Sequence, residues 1–462
     1  VLETRAQIAR ADLKALPSDP IGPAVSIAGV ASFGTSSSSP TGRLNTMYQI
    51  VNNLSHQRGA HALRAGLDFL YNRDLITFPR SIRGSYTFSS LANFQAGTYN
   101  NAGFAQTFGI TEQMQTNPNL GMFVQDEWKV STALTVNAGL RYDLQFLETI
   151  ETDRNNLSPR VGLAWSPFDS RRTLLRASAG LFYDRVPLRA LTNALMSAGN
   201  TTDVAALRQF VVSLSPTQAG APTFPNILPA AVPAVTLPNL TTMDRHLQNA
   251  YSRQASGEIE HQLSDRTTVA AGYEYLAGAG LLMSVNQNVP ACVPVGTNNG
   301  CRPNSGYANN SQYSSAGDST YHGAHVSLTQ RSTTWGHYRV SYTLSKAMNN
   351  VGEFFFSSPI DPTDLSKDWG RADNDQRHRL VVNGSLQLGG FQFGSMLQAY
   401  SAPPFNITSG VTTVQGTAGR PIVDGEFIDR NAGEGTAFFS IGARISRTFR
   451  VRSRVQFEVL AE

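Results

Sequence analysis

Charge is what this chain has little of. Charged residues make up 15% of its 462 positions, against about a quarter in ordinary soluble domains, and the 41% hydrophobic share is slightly below the norm. Ser, Thr, Asn, Gln, Gly and Pro fill the gap. That balance suits a wall with one apolar and one polar, uncharged face, as a bilayer demands of a β-barrel, although composition alone leaves a soluble, turn-rich β protein open. No stretch reaches the roughly 20 apolar residues of a membrane-spanning helix, so any crossing falls to strands. Lysine is scarce (Lys14, Lys129, Lys346, Lys367), and the formal charge of +4 rests on arginines spread singly among acids. Without a basic stripe, a nucleic-acid partner is not expected.

Cysteine is equally scarce. Cys292 and Cys301 lie close together in a Pro/Gly/Asn-rich segment, which suits a local disulfide closing a surface loop in an oxidising compartment. Two cysteines are too few for a structural zinc site. Residues 1–16 carry charges throughout and lack the apolar core of a signal peptide. Either the protein is cytoplasmic, which the cysteine pair disfavours, or the true N-terminus lies upstream.

Catalytic motifs are missing too. There is no phosphate-cradling GxxxxGKS loop, no HExxH helix and no GxSxG elbow, so neither enzyme chemistry nor a cofactor is expected. His322 and His325 fall on opposite faces of a strand, which argues against a shared metal. His378 reads as a polar residue at a strand start rather than a general base. Asp361, Asp364, Asp368, Asp373 and Asp375 crowd one long loop, and carboxylates are the hard ligands Ca²⁺ prefers. Their spacing matches no EF-hand, so a solvated acidic loop is expected rather than a calcium site. Phe354, Phe355 and Phe356 in the same loop read as packing against other loops before ligand contact.

What the chain has is alternation. Leu134, Val136, Ala138, Leu140 and Tyr142 share one strand face, and Thr135, Asn137, Gly139, Arg141 and Asp143 the other. The pattern returns at Tyr338/Val340/Tyr342/Leu344, at Leu380/Val382/Leu386/Leu388 and at Ile441/Ala443/Ile445. Tight turns at 56–61, 130–134, 166–173, 263–267, 331–336, 388–391 and 449–454 join the strands into hairpins. The connections between hairpins run through 73–118, 147–156, 185–247, 279–319, 348–374 and 403–437, nearly all longer than compact soluble domains favour. Short turns on one rim and long loops on the other describe an outer-membrane barrel, with the loops outside the cell. Strands of about 9–13 residues fit a tilted bilayer crossing. Aromatics gather at both strand ends: Trp128, Trp165, Phe168, Trp335, Phe391 and Phe449 by the short turns, and Phe146, Tyr183, Tyr275 and Tyr400 by the long loops, as two interfacial girdles would require. Arg on the lipid face costs about 2–4 kcal/mol at the midplane. Arg141, Arg176, Arg339, Arg379 and Arg444 all take the polar parity, facing the lumen. The first four are candidates for touching an internal plug or an anionic solute; pairing with Asp143, Glu258 and Glu274 is at least as good a reading. The count is about fourteen strands, with a fifteenth near 85–89.

These residues also carry a family resemblance. Phe123-Val-Gln-Asp-Glu-Trp-Lys-Val130 followed by the 134–143 strand resembles a barrel hairpin of TonB-dependent receptors, in which a "QDEW…LTLNLGLRYD" pattern recurs. The segments at 157–167 and 175–184 resemble the next hairpin. Asp368-Trp-Gly with 375–380, and the stretch from Arg444 to Glu462, are similar to later strands of the Oar-like branch, whose members often carry a carboxypeptidase-regulatory-like domain. The resemblance implies an all-β, transmembrane, antiparallel up-and-down barrel in a bacterial outer membrane, partial at about 14 of an expected 22 strands, filling residues 1–462. It implies lipid and TonB as partners, the latter through a plug region missing from this chain, and a solute such as a siderophore, glycan or peptide. An outer-membrane adhesion or secretion-related barrel is the alternative, and a soluble extracellular β protein a third.

Overall fold

The structure is a computed structural model describing residues 1–232, 237–290, 301–352, 357–409, 419–452 and 455–462. Among these, fifteen strands form one wall. They are β1 (Leu2–Ala15), β2 (Thr41–Arg58), β3 (His61–Thr77), β4 (Glu112–Lys129), β5 (Leu134–Gln145), β6 (Leu157–Trp165), β7 (Thr173–Tyr183) and β8 (Tyr251–Ser264). Then come β9 (Thr267–Asn286), β10 (Asn310–Thr333), β11 (Gly336–Asn349), β12 (His378–Leu388), β13 (Phe391–Tyr400), β14 (Phe438–Arg452) and β15 (Val455–Ala461). Each pairs antiparallel with its neighbours in sequence. β1 and β15 do not pair among the described residues, so the sheet is open.

Period-two alternation sets the two faces. Val136 lies opposite Trp128 and Leu163, and Leu140 opposite Val124, because residues directly across a ladder share a face. Along β11, Tyr342, Leu344 and Lys346 are exposed while Ser341, Thr343 and Ser345 between them are half-buried. The apolar side is thus the outward one. Val161, Ile259, Val326, Leu344 and Ile441 are each about half exposed there or more, an apolar surface far beyond what a water-facing sheet tolerates. No helix among the described residues is long and apolar enough to cross a membrane.

The turns are chemically suited to their places. Gly389 and Gly390 stand at φ 59° and 82°, and two successive positive φ values make the primed turn that matches the twist of a two-residue hairpin. The other rim departs from expectation in three ways. The fifteenth wall strand is β1, whose scattered charges hid its alternation, and not the 85–89 segment. Several strands outrun the expected 9–13 residues: β10 has 24, rising past any bilayer, so the connection expected at 279–319 shrinks to 287–309. Tyr400 lies opposite Arg379 on the polar face and is not a girdle residue.

Above the long-loop rim the connections build a second, five-stranded sheet in the order Gln209–Leu214, Phe104–Gly109, Ser85–Phe88, Ala24–Ile27, Ala31–Phe33. Tyr86, Phe88 and Phe104 are buried at its centre, with the Tyr86 ring 4.9 Å from Phe104, 5.0 Å from Tyr99 and 5.2 Å from Phe224. Beside it lies α1 (Leu188–Ala198), ended by Gly199 in the left-handed conformation. Its docking is polar as well as apolar: Gln115 of β4 donates to Thr192 Oγ1 at 2.7 Å and to the Leu188 carbonyl at 2.9 Å.

The face assignment is testable. In the full-length protein refolded into lipid vesicles, Leu140→Arg should lower folding free energy by about 2–4 kcal/mol, and Asn137→Arg on the opposite face should stay within about 1 kcal/mol. Equal costs would show that the two faces do not differ in solvent.

Candidate functional site: the polar face and its outer mouth

The register puts Arg141 opposite Phe123 and Ser158, Arg176 opposite Glu258, Arg339 opposite Thr329 and Asn383, Arg379 opposite Thr343, and Arg444 opposite Gly394. All five therefore lie on the polar face, spread over β5, β7, β11, β12 and β14 rather than gathered at one point. Their partners differ. The Arg141 guanidinium donates to both Asp143 oxygens, at 2.6 and 2.7 Å. A Cβ on Gly121 would collide with that guanidinium, so the glycine makes room for the pair.

Arg176 donates to Glu258 at 2.8 Å and to Glu260 at 3.0 Å. His325 Nε2 stands 3.3 Å from the other Glu258 oxygen, in space that a Cβ at Gly272 would fill. Arg444 is 3.1 Å from Glu458 and 3.4 Å from Glu462. Arg339 and Arg379 form no ion pair among the described residues; the Arg379 guanidinium lies 4.9 Å from the centre of the Tyr400 ring. Glu274 is on the same face, opposite Ser256 and Gly323, and also has no ion pair among the described residues. Glu260 and Arg160, whose guanidinium sits over Phe182, were missed from sequence, as was the place of His325 beside Glu258. Parity alone would have found Glu260, two residues from Glu258. His322 and His325 do face opposite ways: His322 shares the apolar side with Tyr273 and Tyr275.

At the mouth the acidic loop is solvated only in part: Asp368 and Asp375 are buried, and Asp361, Asp364 and Asp373 stay partly exposed. Asp361 is 2.6 Å from Lys367, which also reaches Asp364 at 3.7 Å; Asp368 pairs with Arg420 at 3.3 Å and Asp373 with Arg430 at 2.9 Å. Asp375, its side chain fully buried, meets Arg371 at 2.9 Å and Arg377 at 2.7 Å. Asp368 and Asp373 clamp this loop to the segment that carries Arg420 and Arg430, and Asp375 ties it to the Ala347 N–H, since a carboxylate losing water between packed segments requires a cation or donor in return; Asp361 and Asp364 stay partly exposed on Lys367 of their own loop. Among the described residues no three His, Cys, Asp or Glu are placed to hold a metal. Phe354, Phe355 and Phe356 lie outside the described residues, as does Cys292; Cys301 is disulfide-bonded.

Burial works to raise the Asp375 pKa, but the Ala347 N–H and the two guanidiniums overcome it and hold the group below the ordinary carboxylate value. Asp368 goes the other way: burial raises it despite the Ile360 N–H, Arg420 and Arg430. The outer mouth also holds a cavity of about 740 Å³ lined by Arg80, Asn193, Gln209, Phe210, Leu214 and Asn239, among others. Arg80 and Arg189 both lie against the Phe78 ring.

A wall of this width, apolar outside and polar inside, is an outer-membrane barrel, and residues 6–151 and 147–450 match the family described as "Outer membrane beta barrel domain". The chain belongs to that family and is placed in the outer membrane. Among curated proteins it is similar to the TonB-dependent transporter Oar of Myxococcus xanthus, 26% identical over 258 residues, covering 48% of this chain and 23% of that protein. Among solved structures it is similar to the outer membrane transporter YddB from Escherichia coli, with a TM-score of 0.64 at 12% identity over 98% of this chain and 55% of that one. It is also similar to the siderophore receptor PirA from Acinetobacter baumannii, with a TM-score of 0.54 at 10% identity over 97% of this chain and 54% of that one. This chain therefore spans about a quarter of Oar and about half of each solved barrel.

The carboxylate clamp gives a prediction. Because the Asp375 pKa is depressed on folding, its contribution is complete above about pH 4 and lost as pH falls through its own lower value. Limited proteolysis across 357–377 should find the loop protected at pH 5 and opened in more acid buffer. Asp375→Asn, which removes two ion pairs, should loosen it by about 1–3 kcal/mol already at neutral pH. Protection unchanged in the variant would mean the clamp does not hold the loop.

Proposed function

We propose that this chain is the barrel of a TonB-dependent receptor that takes up a large or scarce solute. The observation that carries the reading is width. Barrels of about eight strands fill their interiors with side chains, whereas larger ones enclose a channel or a plug. Fifteen strands already lie side by side here, and their inner face presents Ser, Thr, Asn, Gln and Arg. The similarity to Oar supports a plug in that lumen, drawn by TonB at the expense of the inner-membrane proton gradient. The solute meets the outer cap first, then the polar face, where Arg339 and Arg379 offer guanidinium groups not committed to carboxylates among the described residues. The work is binding and passage, with no bond chemistry.

The ordered cap favours a second reading, an adhesion or secretion-related barrel whose loops grip a partner while nothing enters. Uptake separates them. Cells carrying the full-length gene should accumulate one class from a panel of labelled siderophores, glycans and peptides, saturably, and a protonophore should abolish the uptake. Uptake that survives the protonophore would make the barrel a passive pore, and retained cell adhesion without uptake would favour the second reading. For the solute found, Arg339→Ala or Arg379→Ala should raise half-saturation by roughly tenfold, the scale of one hydrogen bond to a charged group, at unchanged levels of folded protein.

A further inference from the structure

The five-stranded sheet of the cap has two edges, and they are guarded unequally. At one edge Ala31–Phe33 is only 3 residues long, and a very short edge strand recruits no further strand. At the other edge Gln209–Leu214 is 6 residues long and reads Gln-Phe-Val-Val-Ser-Leu. It carries no charge, no proline and no bulge, the usual protections of an exposed edge. Its two valines and phenylalanine favour strand pairing.

The inner neighbour sets the phase of its hydrogen bonds. The Ile110 N–H donates to the Arg208 carbonyl at 2.8 Å, and Phe210, Val212 and Leu214 lie opposite Phe108, Gln106 and Phe104. The N–H and C=O of one residue point the same way, and the direction alternates along a strand, so these even-numbered residues face Phe104–Gly109. Gln209, Val211 and Ser213 aim theirs out of the sheet, and no hydrogen bond reaches them there among the described residues.

The cavity of about 740 Å³ runs along this edge. Phe210 through Leu214 all line it, residues of both side-chain faces, as a space beside the edge itself requires. Residues of the 237–241 segment and of α1 form its far side. Among the described residues its lining has one cation, Arg80, and no carboxylate. Arg80 has no ion pair and no side-chain hydrogen bond among the described residues, and its guanidinium lies 5.3 Å from the centre of the Phe78 ring. Asn193, which also lines the cavity, is 5% exposed. Its amide nitrogen donates to the Tyr313 hydroxyl at 2.9 Å, and its Oδ1 has no partner among the described residues. A buried acceptor without a donor is costly, so an N–H brought in by a ligand is favourably received.

We infer that this edge is a docking site for a short extended peptide, which pairs with Gln209, Val211 and Ser213 as a sixth strand and sets its C-terminal carboxylate against Arg80. Donors and acceptors alternating along an open edge select another strand, which alone repeats them at the same spacing. The lone cation selects the carboxylate. Small-ligand pockets span about 300–1,000 Å³, a size that admits a short peptide and not the sheet of a second copy. The inference rests on the uptake reading in naming a peptide as the solute, but the docking itself is separable from it. Binding without uptake would leave the site standing, and uptake of another solute without peptide binding would remove the site alone.

The test uses the full-length protein in detergent micelles, with a hexapeptide of alternating Thr and Val and a free C-terminus, titrated by calorimetry. Binding is expected, and hydrogen exchange should slow at the amides of Val211 and Ser213 but not at those of Ser32 and Phe33 on the opposite edge. Two isomers of the peptide, N-methylated at alternate amides, should differ. The one that keeps the groove-side amides should bind like the parent, and the other should bind at least about tenfold more weakly, since several hydrogen bonds are lost together. Arg80→Gln, and separately amidation of the peptide C-terminus, should each weaken binding roughly tenfold, the scale of a hydrogen bond to a charged group. Combining the two should weaken it no further, as expected of partners in one interaction. No binding at millimolar peptide, or equal loss by both N-methylated isomers, would overturn the proposal. A concentration-dependent dimer that protects the same two amides would assign the edge to a second copy and overturn it as well.

Discussion

The structure depends on its outward face having hydrocarbon as solvent. In that medium no backbone N–H or C=O can be left to water, so each strand must find both neighbours, and neighbours in sequence are the cheapest to find. The result is the uninterrupted antiparallel ladder from β1 to β15. The same constraint fixes register. A one-residue slip of β5 would move Arg141, Asp143 and Asn137 into lipid and Leu140 into the lumen, at several kcal/mol for each charge, so few other sequence devices are needed to specify the pairing.

Two kinds of folding physics therefore meet in one chain. The wall has almost no core, because its large side chains lie outward and remain exposed to the solvent they are built for. The cap has a core of the soluble kind, with Tyr86, Phe88 and Phe104 buried among other rings. Between the two, loop carboxylates are bound to arginines drawn from distant parts of the sequence: Asp368 to Arg420, Asp373 to Arg430. Such pairs add little where water screens them, but once the loops pack and exclude water, removing either partner leaves a stranded charge. They act as fasteners for the mouth.

How much was legible in the sequence follows from this division. In the wall, period-two alternation is imposed by two solvents, so β5, β11 and β12 could be read by parity, along with the five arginines and the opposed faces of His322 and His325. β1 escaped because Arg10, Asp12 and Lys14 stand on its outward face above the hydrocarbon, where alternation is no longer enforced. The cap was opaque: its strands of three to six residues are gathered from segments scattered between Ala24 and Leu214, and nothing local to Ser85–Phe88 says that it pairs with Phe104–Gly109. The aspartates around 361–375 misled for a related reason, since their cations come from as far away as Arg420 and Arg430. Tyr400 was misplaced because its height was read without its parity.

Parity and pairing together also rank the inner charges. Arg141, Arg176 and Arg444 are each held by carboxylates within about one strand's reach, and a charge already satisfied gains little from a passing anion, because binding would first have to break the existing pair. Arg339 and Arg379 sit on adjacent strands, four positions apart in register, with hydroxyls, amides and the Tyr400 ring around them. An anionic group arriving there displaces water rather than a carboxylate. If the lumen holds a solute or a plug by charge, β11 and β12 are where the free energy is available, and the same two strands carry Lys346 and His378 on their outer side.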